Sequence, residues 1–133
     1  MVHIRISDAA RFLGVSDDTV RRSISSGALA SVTDASGRMA IEGRALAEFA
    51  KAQAGSAADA GSTSSARNRF VGLVTAVKTD AVMAQVEMQC GPFRVVSLMS
   101  SEAVDELGLE PGSVAVAVIK STNVIIESLS GSA

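Results

Sequence analysis

Apolar residues along this chain follow two rhythms. Before Lys51 they recur at helical spacing; from Arg69 onward they alternate or run together as they do in strands. In the first part, Ser7 stands where it can cap a helix whose inner face is Ala10 and Leu13, and Gly14 can take the positive φ of a tight turn. Ser16 opens a second helix, Asp17 to Ser26, with Val20 and Ile24 four apart on one face and Gly27 as its stop. Two short helices about a Gly-containing turn predict a helix-turn-helix. Val32-Thr33 and Arg38 to Ile41 then form extended arms about a turn ending in Gly37, a hairpin of the kind that makes a wing. An amphipathic helix from Gly43 to Lys51, burying Ala45, Leu46 and Phe49, completes the unit.

The stretch from Ala52 to Ser64 has no large apolar side chain and no periodicity, the composition of a flexible tether spanning about 20 Å. After it, Arg69 to Val77, Ala81 to Gln89, Phe93 to Leu98, Val114 to Ile119 and Val124 to Glu127 all read as strands. Turn signals at Thr79-Asp80, Cys90-Gly91-Pro92 and Pro111-Gly112 separate them, with one Ser-capped helical turn from Ser100 to Leu107. Val82, Ala84, Val86 and Met88 share one face of the second strand; Met83, Gln85 and Glu87 share the other. Five short strands predict a small barrel. Val114 to Ile119 is apolar on both faces, which in so small a unit calls for cover from another protomer. The expected fold class is therefore α+β multidomain: a winged helix-turn-helix over residues 1–51, a linker over 52–64 and a five-stranded β-barrel over 65–133.

Composition sharpens the expectation of an oligomer. Apolar residues are 47% of the chain but aromatics only 3%, so each core must be built from Val, Ile, Leu and Met, and thin cores favour association. Net charge is −2, which leaves no basic footprint on the chain as a whole. From Met1 to Ala54 seven basic side chains face six acidic ones, so DNA binding would need several copies acting together. The single cysteine, Cys90, excludes an internal disulfide and reads as a small, half-buried turn residue. Neither a leader-like segment nor an apolar run of about 18 residues occurs, so the expectation is a cytoplasmic protein without a membrane span. Paired carboxylates, a Ser/His/Asp set, a metal-ligand cluster and a phosphate-cradling Gly loop are all missing, and the one histidine, His3, lies at the terminus, where it is expected to do nothing. No enzyme is expected.

Two polar stretches carry the chemistry: Ser65-Ala66-Arg67-Asn68 and Lys120-Ser121-Thr122-Asn123. A tetrahedral dianion offers only acceptors, so its site needs donors and positive charge; Arg67 and Lys120 supply both, and the hydroxyls of Ser65, Ser100 and Ser121 add neutral donors. Ser100 also opens a helical turn, where unbonded N–H groups favour an anion. Neither stretch contains the Asp, Glu or Cys that would suit a metal cation. Arg67 or Lys120 alone would read as a solvated charge, whereas Asn68 and Asn123 read as turn-formers.

The order Ser65-Ala66-Arg67-Asn68, Glu106-Leu107-Gly108-Leu109-x-Pro111-Gly112 and Ala117 to Ile126 resembles the molybdate-binding Mop domain, also called molbindin or the TOBE fold. The resemblance implies an oligonucleotide-binding-like (OB-like) barrel, a homo-oligomer between dimer and hexamer, and molybdate or tungstate held between subunits. It carries the ligand contacts onto Ser65, Arg67, Lys120 and Ser121, with Ser100 supplied by a neighbouring subunit. The first unit resembles the excisionase-type winged helix related to mercury-resistance regulators, with Ser23 standing where many members carry Trp. That resemblance implies contacts to double-stranded DNA from Thr19, Arg21 and Arg22 on the second helix and Arg38 on the wing; arginine suits both phosphate and guanine edges. Two readings follow: an oxyanion-responsive transcriptional regulator, or a molybdate storage oligomer whose first unit serves assembly or protein docking.

Overall fold

The computed structural model describes residues 2–54 and 64–129. The chain divides into two compact units, Met1–Gly61 and Ser62–Ala133.

The first unit runs β1 (His3–Arg5), α1 (Ile6–Leu13), α2 (Asp17–Ser25), β2 (Val32–Thr33), β3 (Met39–Glu42) and α3 (Gly43–Ala54). Gly14 takes φ 69° between the helices, and Ser16 caps α2 by accepting the Thr19 N–H. The start of α1 differs from expectation. Ser7 lies inside the helix, and the cap position belongs to Arg5, whose side chain makes no capping bond. Pairing of Arg5 with Ala40 keeps the chain extended up to that residue, and Ile6 must then be helical to bury its side chain beside Ala9 and Ala10. His3 likewise pairs with Glu42, so the wing is a three-stranded sheet of order β1-β3-β2. Val20, Leu29, Ile41 and Leu46 fill the core with the buried face of α1, and Phe49 packs against it.

Helix α3 continues past Lys51 to Ala54, so Ala52, Gln53 and Ala54, expected in the linker, are helical. Ala and Gln propagate a helix readily and nothing at Lys51 stops it. The remainder of that expectation, residues 55–63, lies outside the described residues. Ser23 is half-buried and donates its hydroxyl to the Thr19 carbonyl at 3.1 Å. Beside it remains a hollow of about 230 Å³, lined by Leu13, Val15, Val20, Ala28 and Phe49 among others.

The second unit contains β4 (Asn68–Thr79), β5 (Met83–Cys90), β6 (Phe93–Ser100), α4 (Ser101–Leu107), β7 (Val114–Ile119) and a 3₁₀ turn, Ser121–Asn123. The sheet is antiparallel and ordered β6-β5-β4-β7. It curls, because both outer strands line one trough of about 490 Å³ that is floored by Val74, Val86 and Met88. Ala84, Val86 and Met88 face the core as their alternation requires; Val82, expected with them, sits in the preceding turn and is 68% exposed. There Asp80 accepts the N–H groups of Val82 and Met83, both at 2.8 Å. Cys90 is buried at the end of β5.

The expected five-stranded barrel is, within one protomer, a four-stranded half-barrel. Val124 to Glu127 enters no strand pairing among the described residues, and Ile125 and Ile126 are 85% and 86% exposed. The apolar pattern of a strand is present, but a pairing edge is not reached within the same chain. Gly72 answers a different constraint: a Cβ there would lie 2.5 Å from the Gln89 carbonyl oxygen and 2.6 Å from Cys90 Sγ. No helix among the described residues is long and apolar enough to cross a membrane.

Two stability changes follow. Gly72→Ala forces β4 from β5 and is expected to lower unfolding stability of the second unit by about 2 kcal/mol, the scale of core overpacking; an unchanged denaturation midpoint contradicts the close approach. Ser23→Trp fills the hollow beside α2 and is expected to add about 1 kcal/mol to the first unit, less than full burial of an aromatic yields. Because the chain has no other Trp, a blue-shifted emission would report burial directly, and solvent-like emission with no gain in stability would count against it.

Candidate oxyanion site and nucleic-acid interface

Strand pairing brings the two polar stretches of the second unit together. Asn68 and Ile119 are register partners at the joined ends of β4 and β7, and Asn68 Nδ2 donates to the Ile119 carbonyl at 3.1 Å. Asn68 is thus a staple between strands, where a turn-forming role had been expected. Just before it, Ala66 is buried and anchors Ser65 and Arg67, both exposed; Arg67 Nη1 donates to the Ser65 carbonyl at 3.2 Å. Just after Ile119 come Lys120, which precedes the 3₁₀ turn, and Ser121 within it. Lys120 is exposed and makes no ion pair among the described residues. One end of the sheet therefore carries a guanidinium, an ammonium and two hydroxyls, with no carboxylate in either stretch. That donor set fits a small oxyanion and offers nothing a metal cation would prefer.

Ser100 stands elsewhere. It ends β6 as the partner of Met83, and its Oγ accepts the Ala103 N–H at 3.1 Å, leaving the hydroxyl proton to donate. Ser101 fixes this corner by donating from its N–H to Val82 and from its hydroxyl to Ala81. The corner lies at the Thr79 end of β4, whereas Arg67 and Lys120 lie at its Asn68 end. Those ends are separated by a strand of twelve residues, about 36 Å of contour at the usual rise, shortened by the curl and by a bulge between Val74 and Ala76. Ser100 does not meet Arg67 or Lys120 within one chain.

In the first unit, α2 turns Val20 inward and leaves Arg21 and Arg22 exposed. Arg21 and Arg38 line one cleft of about 430 Å³ between α2 and the wing, together with Arg5, Ile6, Ser7, Asp17 and Met39. Arg22 is not among the lining residues. Thr19 lines the hollow beside Ser23 on the other side, half-buried, its Oγ1 at 2.9 Å from Ser16 Oγ. Of the four side chains expected at DNA, the cleft thus joins two. Arg5 had escaped notice, although a cation directly ahead of a helix was a visible signal.

The wing turn is held by Asp34, whose Oδ1 accepts from Ser36 Oγ at 2.6 Å, Ser36 N at 2.9 Å and Arg38 N at 3.0 Å. The Ser36 hydroxyl, then the Arg38 amide, hold its carboxyl below the ordinary 3.8. Since folding lowers this pKa, the stabilisation is present above the unfolded value and is lost as pH falls through the lower folded value. The amide resonances of Ser36 and Arg38 are accordingly expected to titrate at lower pH than an ordinary aspartate would impose; a midpoint at or above the ordinary aspartate value would contradict the turn described.

Comparison with known proteins places each unit in a family. Residues 64–126 match the TOBE domain family and residues 4–54 the helix-turn-helix domain family. Molybdenum-pterin-binding protein 3 of Clostridium pasteurianum is 43% identical over 63 residues, which are 47% of this chain and 93% of that protein. The molybdenum transport protein ModE of Herbaspirillum seropedicae is 40% identical over 63 residues, 47% of this chain but only 23% of that protein. The solved structure of MopII from Clostridium pasteurianum covers 50% of this chain and 100% of that one, at 37% identity and a TM-score of 0.47. The half-barrel with two polar stretches paired at one end defines a class of small β domain. The chain belongs to the TOBE-domain family of molybdenum-pterin-binding proteins, and an N-terminal helix-turn-helix domain accompanies that unit.

Proposed function

We propose that this protein is a molybdate- or tungstate-binding transcriptional regulator that captures its oxyanion between subunits and binds duplex DNA through the winged helix. The observation that supports the reading is the strand pairing that sets the stretch holding Arg67 beside the stretch holding Lys120, neither of which contains a carboxylate. Ser65 and Ser121 add hydroxyl donors there. Ser100, at the far end of the same sheet, serves the site of a second copy.

A second copy is also called for by the apolar surface. β6 and β7 leave a trough open between them, and Val124 to Ile126 extends beyond with its apolar side chains exposed. Such a tail closes a neighbour's half-barrel and so supplies the fifth strand. Val114 at 75% exposure and Val71 at 70% add apolar area that water would otherwise cover.

DNA binding then follows from copy number. One winged helix has almost no net charge, so affinity grows when several are held on one assembly. The oxyanion acts by changing how many DNA-binding units are held together.

Calorimetric titration of the full chain with molybdate, tungstate and sulfate tests the reading. Selective binding of the larger oxyanions is expected. Arg67→Ala or Lys120→Ala should weaken it about tenfold or more, the value of one charge-assisted hydrogen bond, and Ser65→Ala, Ser100→Ala or Ser121→Ala by a few-fold. Equal binding of sulfate, or indifference to both Arg67→Ala and Lys120→Ala, would overturn the site. Selective binding by an oligomer without DNA affinity would make the protein a storage assembly instead.

A further inference from the structure

We infer that the cleft between the wing and α2 is a seat for one phosphate-type oxyanion, gripped by Arg5, Arg21 and Arg38, and that Arg5 is an unassigned DNA-contacting residue. The inference rests on the DNA-binding reading above and deepens it.

Three arginines and one aspartate, Asp17, line this cleft, a local surplus of positive charge in a chain whose net charge is −2. All three guanidinium groups belong to exposed residues, and Arg5 and Arg38 form no ion pair among the described residues. Arg21 approaches Asp18 only to 4.0 Å, and both side chains are exposed, so that pair holds it weakly. Asp34 feels Arg5, but its carboxylate is engaged by the Ser36 and Arg38 donors of its own turn. Gathering like charges in a concavity costs energy unless an anion joins them. Ser7 lines the same cleft and adds a hydroxyl donor.

Arg5 is also the wrong residue for its local position. It occupies the N-cap of α1 with extended backbone, φ −71° and ψ 156°, and offers no cap bond where Ser, Thr, Asp or Asn would accept one. Its charge opposes the positive end of the helix dipole. A residue that breaks a local rule with no local compensation is expected where function requires it. The permanently charged, planar guanidinium suits phosphate oxygens, and β1, α2 and the wing each bring one arginine to the same cleft. A DNA backbone phosphate is the favoured occupant; free inorganic phosphate has the same chemistry.

The test compares the full-length protein with Arg5→Thr, Arg5→Lys and Arg44→Gln in binding to a fluorescent duplex across a salt series, with thermal unfolding measured alongside. Thr suits both the strand and the cap, so Arg5→Thr is expected to unfold at the same or a higher temperature while binding DNA about tenfold more weakly, with a salt slope shallower by about one. Arg5→Lys should keep the slope, and Arg44→Gln, which removes a charge outside the cleft, should leave affinity near wild type. If Arg5→Thr binds like wild type, the phosphate seat is refuted and the DNA-binding reading stands. If the wild type ignores duplex at every salt but inorganic phosphate shifts the Arg5 and Arg38 amides, and Arg5→Thr abolishes those shifts, the cleft is a free-anion site and only the DNA-binding reading falls. No response to either ligand refutes both.

Discussion

The pairing of β4 with β7 is the constraint on which the second unit depends. By making Asn68 and Ile119 partners, it sets the residues before one strand beside the residues after the other and so assembles Arg67 with Lys120 from positions far apart in sequence. The same ladder places the Ser100 corner at the opposite end of β4, because β5 and β6 fold back from the Thr79 side. A site that needs all these groups therefore cannot close within one chain. The open trough between β6 and β7 and the exposed Val124 to Ile126 likewise leave apolar surface uncovered within one chain.

This incompleteness gives the first unit its logic. A winged helix with nearly balanced charge is a weak polyelectrolyte, and its positive charge is useful only where the fold concentrates it. The cleft bordered by α1, α2 and the wing is such a place, since β1 carries Arg5 to Ala40 while the Asp34 turn sets the wing that presents Arg38. In the proposed assembly, each added copy of the chain brings one more such cleft. The proposed switch thus couples two weak interactions, oxyanion capture at an interface and DNA contact by a near-neutral domain, through the number of copies held together.

Much of this was legible because the deciding forces are local. Ser16 as a cap, Gly14, Gly27 and Gly37 at positive φ, and the inward set Ala84, Val86 and Met88 all follow from residue type and period. The misjudged positions are those where a distant partner decides. Ser7 has the chemistry of a cap, yet pairing of Arg5 with a residue 35 positions away moved the helix start. Val82 fits the strand alternation, but the Asp80 carboxylate draws its amide into a turn. Val124 to Glu127 has the composition of a strand, yet it reaches no pairing edge among the described residues. At the candidate site, the residue types were readable from the two polar stretches, but the placement of Ser100 at the far end required the sheet order.

Native mass spectrometry of the full chain with molybdate across a dilution series decides whether the oxyanion is held between copies. Molybdate is expected only on dimers or larger assemblies, with bound oxyanion disappearing as the protein dissociates. A monomer that retains molybdate as tightly as the assembly does would contradict that expectation.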